Sequence, residues 1–115
     1  MRRNVLNWII ADIYNWPILI YIGKWSKLRK KVLKHYDYDI GDMVSDGGAH
    51  LTICDDKLTY CSVIWLSEYC KYTLIHELLH ASMTILSTVG IKFSPNHQEA
   101  LCYLHESLCI KAKTC

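Results

Sequence analysis

The stretch TLIHELLHASM, residues 73–83, combines apolar side chains at helical spacing with two histidines and a glutamate. The same apolar period runs from about residue 72 to Val89, and Gly90 follows where a glycine commonly ends a helix. The sequence therefore predicts a long helix with one side buried in the core, and the rest of the chain is expected to pack around it.

Two polar residues of this helix, His76 and His80, are four positions apart. At that spacing both imidazoles lie on one face and can be directed at one metal ion. Glu77 is rotated by about 100° from His76 and can flank the metal without binding it. This is the H-E-x-x-H pattern of two zinc ligands and a general base. The alternative is a buried helix with incidental polar residues, but three ionisable groups would be costly to bury without partners.

Catalytic zinc usually takes three protein ligands and keeps a position for water. The longer motif with a third histidine on the same segment is absent, because Met83 and Leu86 occupy the places of its glycine and histidine. The third ligand must come from another segment. The candidates lie in the last predicted helix and are His97, Glu99, His105 and Glu106.

The flanking sequence predicts strands and two more helices around this central helix. The predicted strands, rich in β-branched and aromatic residues, are 16–23 (WPILIYIG), 49–54 (AHLTIC) and 58–66 (LTYCSVIWL), the last two antiparallel. The predicted helices are 26–36, with Ser26 as N-cap, and about 95–112, with Ser94 as N-cap. We therefore expect an α+β fold, a small antiparallel or mixed sheet packed with helices, forming one domain over residues 1–115.

The order of these motifs resembles that of a family of small phage and prophage zinc metallopeptidases. The likeness covers roughly residues 16–108 and is carried by WPILIYIG (16–23), TLIHELLHA (73–81) and NHQEALCYLHESL (96–108). The resemblance implies a minimal zincin-like scaffold, in which a glutamate of the helix after the H-E-x-x-H helix completes the zinc site. It also implies a peptide or protein as substrate.

Among the candidates for the third ligand, the spacing favours Glu99. It follows His80 by nineteen residues, which is enough for the central helix to end at Gly90 and for a short loop to reverse the chain. His97 is about 200° around the helix from Glu99, so the two side chains do not point the same way. We therefore predict that His76, His80 and Glu99 bind zinc and leave one position for water.

The predicted reaction is hydrolysis in which the metal acidifies a water and Glu77 takes its proton as general base. The residue that stabilises the oxyanion stays open between His97, His105 and Tyr103. An alternative function is a non-catalytic phage accessory protein that binds a host factor, with a structural zinc site stabilising a small domain.

Charge and composition narrow the partners. The formal net charge is only +2, and the basic residues cluster in 24–34 at helical spacing, which favours a solvated helix face over a nucleic-acid surface. Asp12 and Pro17 interrupt the apolar N-terminal run, so no membrane span is expected. The six cysteines are expected to be reduced, and we expect the protein in the cytoplasm of a bacterial host cell.

Overall fold

The chain, seen in a computed structural model, has an α+β fold in which strands and helices alternate in the order ββαββαα. The described residues are 5–11, 14–43, 47–54, 60–91, 94–95 and 98–113. The strands are β1 (Val5–Ala11), β2 (Trp16–Ile22), β3 (Gly48–Cys54) and β4 (Tyr60–Leu66). The helices are α1 (Trp25–Tyr36), α2 (Lys71–Thr88) and α3 (Gln98–Lys111). The predicted α+β class is confirmed, as are the long helix with the H-E-x-x-H residues and a following helix that contains Glu99.

The strands form one mixed sheet in the order β1-β2-β4-β3. β2 and β4 run parallel in the centre, and the outer strands β1 and β3 are antiparallel to their neighbours. The register places Ile64 of β4 opposite Ile20 on one side and His50 on the other. β3 is therefore an edge strand, and no further strand among the described residues pairs with its outer side.

Each face of the sheet has its own core, because successive side chains of a strand point to opposite faces. One face packs against α1 through buried residues of the two central strands and the helix: Leu19, Tyr21, Val63, Trp65, Leu28 and Val32. The other face packs against α2 and α3 through a second set: Ile18, Ile20, Ile64, Leu66, Leu78, Ile85 and Leu108. The sheet thus lies between one helix and two, and the H-E-x-x-H helix is on the two-helix side.

The opening of the chain differs from the prediction, which had strand 16–23 followed directly by a helix. β1 precedes this strand and pairs with it along its whole length. Its sequence VLNWIIA lacks polar alternation, and Trp8 and Ile10 remain 46% and 48% exposed on this outer strand. A period-two polar pattern marks strands in a sequence, and an outer strand with exposed apolar residues does not carry it.

Both flanking helices begin elsewhere than predicted. α1 begins at Trp25 with Lys24 in the N-cap position, not at Ser26, because the Trp25 ring is buried and its indole N–H donates to the Gly41 carbonyl at 2.8 Å. α3 begins at Gln98, three residues after Pro95. No helix in the described part of the chain is long and apolar enough to cross a membrane.

Candidate functional site

α2 holds the two predicted histidine ligands on the side away from the core. Its buried apolar residues follow the helical period and face the core: Leu74, Leu78, Ala81, Ile85 and Leu86. At the end of α2, Gly90 adopts a φ of +90°, and the N–H of Ile91 donates to the carbonyl of Leu86 at 2.9 Å. This left-handed glycine with its backward hydrogen bond ends the helix where the sequence predicts. His76 and His80 are exposed on the opposite side.

The two histidine rings are brought together as predicted. Their Nε2 atoms are 3.1 Å apart, and the ring centroids are separated by 4.8 Å with the planes at 77°. Two imidazole nitrogens bound to one tetrahedral zinc, each at about 2.0–2.1 Å, lie about 3.3 Å apart. The separation of the two nitrogens therefore fits a shared zinc ion, and without metal it also fits a hydrogen bond between the two rings.

Glu77 follows His76 in the helix and lies between α2 and the edge strand. It is only 7% exposed, unlike the two histidines. Its Oε2 atom is 3.6 Å from the position that a Cβ would take on Gly48, the first residue of β3. The missing side chain at Gly48 allows the helix to approach β3, so a carboxylate is held beside the edge strand and next to the histidine pair.

Glu99, the predicted third ligand, lies exposed in the first turn of α3. Within the part of the chain that the structure describes, no group of three His, Cys, Asp or Glu side chains is placed to hold a metal. The structure thus joins His76 and His80 but does not bring Glu99 to them, and zinc binding by Glu99 stays a prediction. His97, the competing ligand, falls outside the described residues.

Two of the residues that the sequence offers for stabilising the oxyanion, His105 and Tyr103, lie on α3. His105 joins α3 to α2, because its Nε2 lies 3.0 Å from the carbonyl oxygen of Ile75. Tyr103 is 67% exposed on the outside of α3. In the described residues, no contact places the side chain of His105 or Tyr103 next to Glu77.

His50 of β3 was missed by the sequence reasoning, which treated residues 49–54 only as a strand. Its Nε2 lies 3.1 Å from Oγ of Ser62, and the same oxygen accepts the indole N–H of Trp16 at 3.0 Å. Burial, and to a lesser extent the charge of His80, lowers the pKa of His50 to about 4. The ring is therefore neutral at physiological pH. The available signal was strand alternation, which puts His50 on the face of Gly48.

Comparison of the chain with models of protein families, with curated proteins and with solved structures found no match. The resemblance to phage zinc metallopeptidases stays a prediction.

Proposed function

We propose that this chain is a zinc-dependent hydrolase, a phage-encoded metallopeptidase, with His76 and His80 as zinc ligands and Glu77 as general base. The observation that carries the proposal is the combination of two Nε2 atoms 3.1 Å apart with a buried carboxylate next to them. The burial of Glu77 carries most weight, because a carboxylate in an interface lined by apolar residues is costly unless it has a role. Zinc, when bound, supplies a Lewis acid for the substrate carbonyl and lowers the pKa of a water to about 7.

Glu77 performs the proton transfers of the proposed reaction. Its carboxylate takes a proton from the attacking water and later returns it to the nitrogen of the leaving amine. Burial between α2 and β3 limits the competing solvent around the carboxylate and restricts its motion. A proton acceptor fixed in this way loses less entropy on reaching the reactive geometry.

The edge strand supports a peptide as the substrate class. A peptide in extended conformation can add to the outer side of an edge strand through main-chain hydrogen bonds. β3 is such an edge strand, and its first residue is the one that lies beside Glu77. A peptide paired with β3 would therefore pass close to the general base. The proposed place of action is the cytoplasm of a bacterial host cell.

A second candidate function is the non-catalytic one, binding of a host protein by a zinc-stabilised domain. The observation in its favour is the exposed apolar surface of β1, where Trp8 and Ile10 are 46% and 48% exposed. Exposed apolar side chains next to each other are typical of interaction surfaces. A bound zinc with four protein ligands favours this function, whereas three protein ligands and a water favour hydrolysis.

Metal analysis tests the site, and Glu77→Gln tests the reaction. The purified protein is expected to contain about one zinc ion per chain. The His76→Ala/His80→Ala variant lacks both histidine ligands and is expected to contain none. Glu77→Gln should keep its zinc but hydrolyse fluorescein-labelled casein roughly 10²- to 10⁴-fold more slowly. Glu68→Gln, an exposed glutamate just before α2, is the matched control and should keep full activity. Equal, negligible zinc in wild type and double variant would remove the site, and full turnover by Glu77→Gln would remove the role of the base.

A further inference from the structure

His50 lies on the sheet face that α2 covers, although it precedes His80 by thirty residues in the chain. Gly48 of β3 faces Thr73 and Glu77 of α2, and His50 is two residues further along the same face of the strand. Two residues of a strand span about 6.6 Å, and one turn of a helix spans about 5.4 Å. His50 therefore faces α2 about one turn beyond Glu77, which is the level of His80. The effect of the His80 charge on His50 agrees with this placement.

The neighbours of His50 determine which nitrogen of its ring carries the proton. Ser62 is fully buried, so its hydroxyl hydrogen must be donated to an acceptor inside the protein. Its oxygen already accepts the N–H of Trp16, and Nε2 of His50 lies 3.1 Å away. Among the described residues, Nε2 of His50 is the acceptor within hydrogen-bond distance of this hydroxyl, so Ser62 donates to Nε2 and the neutral ring carries its hydrogen on Nδ1.

The Nδ1–H of His50 is available to a ligand. In the described residues, no side chain or backbone group hydrogen-bonds this nitrogen, and the ring is only partly buried. The chain from Trp16 through Ser62 to Nε2 fixes the orientation of the ring before any ligand binds. A donor that is already oriented needs no reorganisation when negative charge develops near it.

We infer that His50 donates a hydrogen bond from Nδ1 to the oxyanion that forms when the substrate carbonyl is attacked. The inference rests on the proposed function, because it concerns the same reaction. His50 keeps its proton throughout and gives only a hydrogen bond, so the proton transfers remain with Glu77. This role would explain why a histidine, and not an apolar residue, occupies this partly buried position of β3.

The tautomer of His50 is measured first, on metal-free protein and independently of turnover. Nitrogen-15 NMR of protein labelled at histidine should show hydrogen on Nδ1 of His50 and none on Nε2 at neutral pH. In Ser62→Ala the fixed donor to Nε2 is lost, and the signal should move toward a mixture of both tautomers. A wild-type ring with its hydrogen on Nε2 would overturn the inference.

The second measurement is the affinity of acetohydroxamate for the zinc-loaded protein. Acetohydroxamate is a small anion, and its charged oxygen mimics the oxyanion. His50→Phe should weaken its binding roughly 10-fold, because a hydrogen bond to a charged group is lost. His50→Asn is the conservative variant, since its amide N–H can take the place of Nδ1–H, and it should retain most of the affinity. All three proteins should hold the same amount of zinc.

Turnover separates this inference from the proposed function. With labelled casein, His50→Phe should lower kcat about 10²- to 10³-fold with little change in KM, and His50→Asn should lose less. If wild type does not hydrolyse the substrate, the proposed function fails, while the NMR and hydroxamate results still decide whether His50 is an anion donor. Equal hydroxamate affinity of wild type and His50→Phe would overturn the inference.

Discussion

Gly48→Ala tests whether the approach of α2 to the edge strand depends on the missing side chain. A Cβ at this position would lie 2.7 Å from Cγ2 of Thr73 and 3.2 Å from the backbone oxygen of Trp65. Carbon atoms in contact are normally about 3.5–4.0 Å apart, so the methyl group of Thr73 must move by roughly 1 Å. The oxygen of Trp65 belongs to the paired strand β4 and cannot move without disturbing the sheet.

Two effects of opposite sign determine the size of the change. Excess volume in a packed interior costs about 1–3 kcal/mol. Alanine also restricts the unfolded chain, which stabilises the folded state by about 0.4–1 kcal/mol where the backbone conformation suits it. Gly48 has no left-handed φ, so this gain applies, but the contact with Thr73 outweighs it. The middle values of the two ranges give a net loss of roughly 1.3 kcal/mol and a fall in Tm of roughly 5–10 °C.

The neighbouring glycine provides the matched control. A Cβ on Gly47 would meet nothing within 4 Å, and the backbone there is also not left-handed. Thermal unfolding followed by circular dichroism should therefore show Gly47→Ala unchanged or slightly more stable. Combining Gly48→Ala with Thr73→Ser, which removes the Cγ2 methyl, should restore part of the lost stability. A Gly48→Ala protein as stable as wild type, or no recovery with Thr73→Ser, would refute the explanation.

Three further predictions concern ligands, pH and thiols. Glu99→Ala should weaken zinc binding strongly and His97→Ala only slightly in a chelator competition assay; the reverse ranking would make His97 the third ligand. The pKa of His50 is about 4 in the folded protein, below its ordinary value of 6.5. The contribution of this histidine to the free energy of unfolding is therefore fully present above about pH 6.5 and is lost as the pH falls toward 4. Chemical unfolding of metal-free protein should show that loss, and His50→Gln should reduce it; equal pH profiles would contradict the burial argument. Iodoacetamide should modify the exposed Cys70 well before Cys61, whose thiol is buried and has a raised pKa. Mass spectrometry after timed quenching measures the order, and earlier modification of Cys61 would contradict the prediction.

Local patterns in the sequence predicted the elements that carry the site. The helical period around residues 73–83 and the glycine after Val89 predicted α2 almost to its ends, and the apolar run 16–23 predicted β2. These features depend on residues close together in the chain. The starts of α1 and α3 were predicted less well. A buried tryptophan extends α1 at its beginning, so that Ser26 lies inside the helix, and α3 begins at Gln98 rather than near Pro95.

The sequence by itself determined the pairing of His76 with His80, since a spacing of four residues on one helix is sufficient to bring the rings together. The sequence also placed Glu77 beside the two histidines, but it did not predict that Glu77 is buried. Tertiary structure alone decided that burial, because it depends on how closely α2 approaches a glycine of another strand. The same holds for His50, whose position beside His80 requires the order of strands in the sheet, their register and the packing of a helix across them. Contacts between distant segments are set by the sum of many packing interactions, and no local period in the sequence encodes them.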